Sequence, residues 1–133
     1  MINLIEYMPF ANTLGIELET SEKDCIVGNL VVDESICTTG KIMHGGAIMA
    51  FADTLGAVGA FLNLPEDAKA TTTIESKTNF LGAAPKDTKV IGTCTPVHIG
   101  RRTSVWQTKL HRVDDDGRER AVAVVTQTQM VLS

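Results

Sequence analysis

The sequence predicts an α+β domain, and three observations carry that expectation. Residues 45–62 form one long helical run that is apolar on every side, unlike a surface helix with a polar face. Residues 71–132 are nearly all strand-like, long and rich in Thr and Val. The chain has 133 residues, enough for one core and no second, so residues 1–133 are expected to form a single domain. An apolar helix in so short a chain must be wrapped by something, and a sheet is the one candidate.

The elements follow from local signals. Residues 2–14 place Leu4, Ile5, Met8, Phe10 and Leu14 at helical spacing, which predicts a short amphipathic helix interrupted near Pro9. Residues 15–22 and 25–32 alternate and are joined by Ser-Glu-Lys-Asp, which predicts a hairpin. Residues 33–43 read as a loop. The helix then runs to Asn63-Leu64-Pro65, where Asn and the following Pro are stop signals. Strands are expected over 71–81, 89–98, 103–113 and 119–132, separated by turns at 82–87, at Gly100-Arg101 and at 114–117. Consecutive short turns imply an antiparallel meander. A sheet covered on one face, with long Thr- and Val-rich strands, also suits edge-to-edge pairing with a second copy.

Composition excludes several functions. With a formal charge of −4 and no basic stripe interleaved with aromatics, a nucleic-acid role has no support. No apolar run reaches the ~20 residues of a membrane span, and the first ten residues lack the basic start of a signal peptide. Cys25, Cys37 and Cys94 are odd in number and widely spaced, which suits reduced thiols and a cytoplasmic location. No His, Asp or Cys cluster has metal-ligand spacing, and neither a nucleophile elbow nor a phosphate-binding loop occurs. The Asp-rich run at 114–117 sits between two strands and reads as a solvated turn.

Chemistry concentrates on the helix. Asp53 lies among Phe51, Ala52, Thr54 and Leu55, with no cationic neighbour in sequence. A buried carboxylate costs several kcal/mol unless paired or hydrogen-bonded, so it marks either a functional group or a boundary residue bonded to a strand amide. His44-Gly45-Gly46 opens the same helix. Glycines there leave free N–H groups at the positive end of the helix dipole, open to a carbonyl or an oxyanion, although glycines also mark tight turns. Asp53 is eight residues beyond Gly45, or roughly 12 Å along the axis. Both would need to lie within ~3 Å of one reacting group, which one helix cannot provide. If both act on one substrate, two antiparallel copies of the helix must supply the halves of each site. A catalytic reading therefore requires a dimer.

The stretch HGGAIMAFADTLGAVGA, followed by TIESKTNFLGAAPKDTKVIGT and a Gly-Arg turn, resembles the hotdog-fold acyl-CoA thioesterases, and within them the phenylacetyl-CoA-type group. The likeness runs from about Met8 to Val131. It implies a long central helix wrapped by a curved antiparallel sheet, in dimers with a continuous sheet that often pair into tetramers. It further implies Asp53 as the catalytic carboxylate, either attacking the carbonyl or activating water, and Gly45 as the N–H donor that polarises the thioester carbonyl. His44 falls where the family's His orients that loop or the thiol end. Thr73 falls where a Ser or Thr often contacts the carboxylate or water. No cofactor is implied, because coenzyme A is part of the substrate. Six residues before the His the family usually carries Asn or Gln, where this chain has Thr38, with Gly40 one place early. Either Thr38 and Thr39 take over that contact, or the loop is rearranged and activity is low.

Further candidates surround this set. Gly46, Asn79, Phe80 and Leu81 are expected to bind substrate, Phe80 being either core or part of a pantetheine and acyl channel. Arg101 and Arg102 follow a turn and are either solvated or in contact with coenzyme A phosphates, which suit a guanidinium fork. Met43 and Met49 either flank an acyl pocket or are plain core. His98 and His111 read as surface groups. Two rival functions share the fold: an acyl-thioester hydratase or dehydratase, whose typical His-Phe-Pro surroundings are absent, and a non-catalytic acyl-CoA-binding domain.

Overall fold

The computed structural model describes residues 3–133. The expected N-terminal helix is split in two: a 3-10 turn at Leu4–Tyr7 and helix α1 at Pro9–Leu14 (its expected start at residue 2 lies outside the described residues). Pro9 is the cause. It has no N–H to continue the first turn, yet it suits the first position of a new helix. Gly15 ends α1 in the left-handed region, at φ 78°.

Strands β1 (Glu17–Glu22) and β2 (Cys25–Val31) form the expected hairpin. Residues 33–43, expected to be a loop, hold more structure than that. Asp33 caps a 3-10 turn at Glu34–Ile36, and β3 (Cys37–Thr38) pairs with β4 (Ile42–Met43) around residues 39–41. Elements of two or three residues are too short to leave a periodic signature. Helix α2 runs Gly45–Leu62, with the bounds the sequence predicts. Asn63 closes it, its side-chain amide donating to the carbonyls of Gly59 and Lys23, each at 2.8 Å.

Strands β5 (Ala70–Phe80), β6 (Lys89–Ile99), β7 (Thr103–Val113) and β8 (Glu119–Leu132) complete the chain. The sheet has six strands in the order β1-β2-β6-β7-β8-β5, with antiparallel pairings throughout. The meander expectation holds for β6-β7-β8 and fails for β5, which pairs with β8 on its outer side. The edge of β6 that a meander would give to β5 is taken by β2. Residues 81–88 instead cross to β6 past the start of α2, where the Met43 N–H donates to the Ala84 carbonyl and the Asp87 N–H to the Val32 carbonyl, each at 2.8 Å.

The sheet curls so far that α2 meets every one of these six strands. Close approach is made possible by missing side chains. Gly28 and Gly92 are register partners on β2 and β6, and a Cβ on either would stand 2.8 or 2.7 Å from a methyl group of Leu55. The fully buried Leu55 and Phe51 sit in that slot. One turn further along the same face of the helix, Gly59 lies against the ring of the fully buried Trp106, whose indole N–H donates to Ser104 Oγ at 2.8 Å. By length and composition α2 would pass for a membrane span; here strands cover the larger part of its apolar surface.

One stripe of α2 escapes the sheet. Met49, Ala50, Asp53, Thr54 and Ala57 are half-buried and Phe61 is 50% exposed, so the helix is not wrapped on every side within one chain. These positions recur at three- and four-residue intervals and so form one face, part of which α1 covers. The neighbouring sheet edge, β5, carries Ile74 at 56% exposure.

Two measurements test this packing. Gly59→Ala gains about 1 kcal/mol of helix propensity, but its Cβ would stand 2.7–3.0 Å from three carbons of the immobile Trp106 ring. The variant should lose about 1–2 kcal/mol net and show a lower Tm with altered tryptophan fluorescence. Burial pushes the Cys94 thiol up to about 11, so at neutral pH it carries almost no thiolate. Iodoacetamide followed by mass spectrometry should leave Cys94 unmodified in the native protein and alkylate it after denaturation.

Candidate active site

Asp53 projects from the open stripe of α2 toward β5 and β8. Thr73 Oγ1 donates to Asp53 Oδ1 at 2.5 Å, and Gln127 Nε2 donates to the same oxygen at 3.1 Å. Its partners are thus two side chains and not a backbone amide of a strand. Gln127 also reaches the Asp53 backbone carbonyl at 3.5 Å. Behind Thr73, Gln129 Nε2 donates to Thr73 Oγ1 at 2.5 Å, and Thr71 Oγ1 donates to Gln129 Oε1 at 3.0 Å. Among the described residues no donor meets Asp53 Oδ2.

A β-bulge places this cluster. Thr73 opposes Gln129, but the next pair is Glu75 with Thr128, so Ile74 is an extra residue on β5. Before the bulge Thr71 and Thr73 face inward; after it Ser76 and Thr78 do. Without the extra residue, one half of β5 would point its hydroxyls to solvent.

At the helix start, His44 is the N-cap residue: its Nδ1 accepts from the Gly46 N–H at 2.7 Å. The donor at Gly46 is therefore occupied. Among the described residues the Gly45 N–H has no acceptor. Phe80 covers this end, since a Cβ on Gly45 would lie 3.3 Å from two of its ring carbons. Phe80 is 55% exposed, so it is not core. With α2 continuous from Gly45, the ~12 Å rise to Asp53 stands. One chain holds the acid and the free N–H at separate places.

Two grooves run along the open stripe. Asp53 lines one of about 290 Å³, with Met8, Phe10, Ala50 and Thr54. The other, about 550 Å³, continues toward the helix end and is lined by Leu4, Tyr7, Met8, Ala57, Phe61 and Thr71, among others. Met8 belongs to both walls, so the two grooves are neighbours on this face.

The remaining candidates are scattered. Thr38 is exposed on the β3-β4 hairpin, and no hydrogen bond ties it to Asp53 among the described residues. Asn79 and Leu81 are exposed at the end of β5, next to Phe80 and far along the strand from Thr73. Arg101 and Arg102 are exposed in the β6-β7 turn, and neither makes an ion pair among the described residues. Met43 is core at 3% exposure, and Met49 lines neither groove. Gln127 and Gln129 escape the sequence reading. Their signal is parity: they share the inward face of β8 with Val125, and a buried amide on an apolar face asks for a partner.

A long helix enclosed by a curled antiparallel sheet of six strands is the hotdog fold. The chain belongs to the Thioesterase superfamily, whose family model matches residues 40–119. It is 30% identical over 105 residues to the 1,4-dihydroxy-2-naphthoyl-CoA hydrolase of Escherichia coli K12, covering 79% of this chain and 74% of that one. A thioesterase family protein from Silicibacter pomeroyi has the same fold, with a TM-score of 0.88 at 27% identity over 96% of this chain and 92% of that one. The E. coli PaaI protein from the phenylacetic acid degradation operon gives a TM-score of 0.85 over 98% and 88% of the two chains; at 18% identity that likeness is one of fold.

The cap at the helix start has a measurable consequence. His44→Ala removes the acceptor for the Gly46 N–H and should cost about 1 kcal/mol, seen as a lower Tm, whereas His44→Asn keeps a side-chain acceptor and should recover most of the loss.

Proposed function

We propose that the protein hydrolyses an acyl-CoA thioester at two sites, each shared between the subunits of a homodimer. The observation that carries this reading is the separation on α2: an anchored carboxylate in an open groove, and an N–H without an acceptor among the described residues roughly 12 Å away on the same helix. Only a second, antiparallel copy of the helix can bring Gly45 of the partner subunit to the carbonyl that Asp53 addresses. The half-buried stripe around Asp53, the exposed Phe61 and the free edge of β5 with Ile74 support association on that side. A continuous sheet through paired β5 edges, and dimers paired into tetramers, belong to the same proposal.

The carbonyl oxygen accepts from the partner's Gly45 N–H, whose position at the helix start favours the developing negative charge. Asp53 then works by one of two routes. As nucleophile it bonds to the carbonyl carbon, the C–S bond breaks, the thiolate leaves, and water hydrolyses the mixed anhydride. As general base it takes a proton from water, whose oxygen attacks the same carbon before the thiolate leaves. Thr73 steadies the carboxylate, and His44 holds the turn that presents Gly45. Gly46 leaves the approach open, and Thr38 of the adjoining hairpin flanks it.

The grooves favour an apolar acyl group, aromatic or aliphatic, as the 550 Å³ groove is lined mainly by carbon. Phe80 beside Gly45, with its neighbours Asn79 and Leu81, suits the pantetheine arm, and Arg101 and Arg102, without an ion pair among the described residues, suit its phosphates. No resident cofactor is needed, and a reaction on coenzyme A esters fits the cytoplasm.

Thiol release from a panel of acyl-CoAs tests the reaction. Asp53→Asn should abolish it while the folded assembly persists; full activity in that variant sinks the proposal. Shared sites are tested by mixing. Gly45→Pro removes the N–H at a helix position that tolerates proline, and His44, at ψ 138°, already has the backbone a following proline requires. Each variant alone should be inactive. A refolded equal mixture should recover up to roughly a quarter of the wild-type rate, since half of the dimers are mixed and each carries one intact site. No recovery in an assembly shown to be mixed rules out sites shared in this way.

A further inference from the structure

We propose that Gln127 and Gln129, on β8, are positioning residues that hold Asp53 by one oxygen and leave Oδ2 as the oxygen that meets the substrate or the attacking water. The inference rests on Asp53 being the working carboxylate, and it adds how that carboxylate is aimed.

Donor and acceptor accounting fixes every proton in the cluster. Asp53 Oδ1 and the Asp53 carbonyl only accept, so the group that Gln127 turns toward both must be its NH₂. Thr71 Oγ1 and Thr73 Oγ1 flank the amide of Gln129. If that amide were reversed, Thr73 would give its single proton to Gln129 and face Asp53 Oδ1 with a lone pair. With Nε2 toward Thr73, the hydroxyl accepts from Gln129 and its own proton is left for Asp53. The relay Thr71 to Gln129 to Thr73 to Asp53 therefore runs in one direction, and it ends on the oxygen that Gln127 also binds.

Both glutamines are sealed from water, at 0% and 1% exposure, so their bonds act in a low local dielectric where geometry is strongly enforced. Room for Gln127 comes from Gly56, one turn beyond Asp53: a Cβ there would overlap the Gln127 carboxamide. The constraint is chemically useful, because the last torsion of an aspartate is broad and two donors on one oxygen narrow it. A nucleophile or base loses rate steeply when its oxygen is misdirected.

Gln127→Met and Gln129→Met keep length and bulk in buried sites while removing the donors. Each should lower kcat for thiol release roughly tenfold or more, with KM within about threefold of wild type. Thr73→Val should behave like Gln129→Met, whereas Thr73→Ser, which keeps the hydroxyl, should retain most of kcat. A purely structural role would lower Tm and leave kcat per folded molecule unchanged, and that result in both methionine variants overturns the inference. Crystal structures of the two methionine variants supply a reading independent of turnover. An Asp53 carboxylate that rotates or splits between orientations supports the inference, and one that keeps its wild-type orientation in both overturns it. If the wild-type protein releases no thiol from any acyl-CoA, the hydrolase reading falls and the crystallographic result alone decides the positioning role.

Discussion

The seating of α2 against the sheet is the contact on which the other features depend. Leu55 and Phe51 enter a slot that exists because Gly28 and Gly92 face each other across β2 and β6. Fully burying such side chains is worth about 1.5–3 kcal/mol each, but the larger effect is geometric. The slot fixes how deep the helix lies and how it is rotated. Trp106 of β7 against Gly59 and the Gln127 carboxamide of β8 against Gly56 set the same rotation from the next strands of the sheet. With the helix held along this face, the stripe turned away from it faces outward, and Asp53 is on it.

Helical glycines ordinarily weaken a helix by up to about 1 kcal/mol each relative to alanine. Here that cost is offset by what replaces the missing Cβ. At Gly59 the replacement is an aromatic ring and at Gly56 an amide that reaches Asp53. Packing and the aim of the carboxylate are thus one arrangement, so a substitution at Gly56 would disturb both together.

Much of the fold is legible in the sequence where signals are local. His44 and Asn63 bound α2 because capping is a property of a few adjacent residues, and the turns at Gly100 and at 114–117 bound β7 and β8 in the same way. The place of β5 is not legible, because which strand takes the edge of β6 is decided by β2, some sixty residues away. The open stripe on α2 is faint for a related reason: Asp53 and Thr54 are the only polar side chains on the helix, and the rest of the stripe is as apolar as the faces that the sheet covers. At the site, Asp53 and the Gly45 N–H stand out as an isolated charge and a side-chain-free helix start. Gln127 and Gln129 do not, since in a Thr-Gln alternation either residue type could face the core.

Ile74 acts on β5 as a frame shift acts on a message. Residues before it are read by Asp53, and residues after it, ending at Phe80, are read by the other end of the helix. Counting by twos along the strand therefore gives the right face only up to Thr73. A relative without the extra residue would match this chain in one half of the strand and be displaced by one place in the other. Its hydroxyls would then align with this chain's solvent-facing side chains although the two sheets superpose. Equivalence at this site is thus a matter of facing direction, and position in an ungapped comparison is a misleading guide to it.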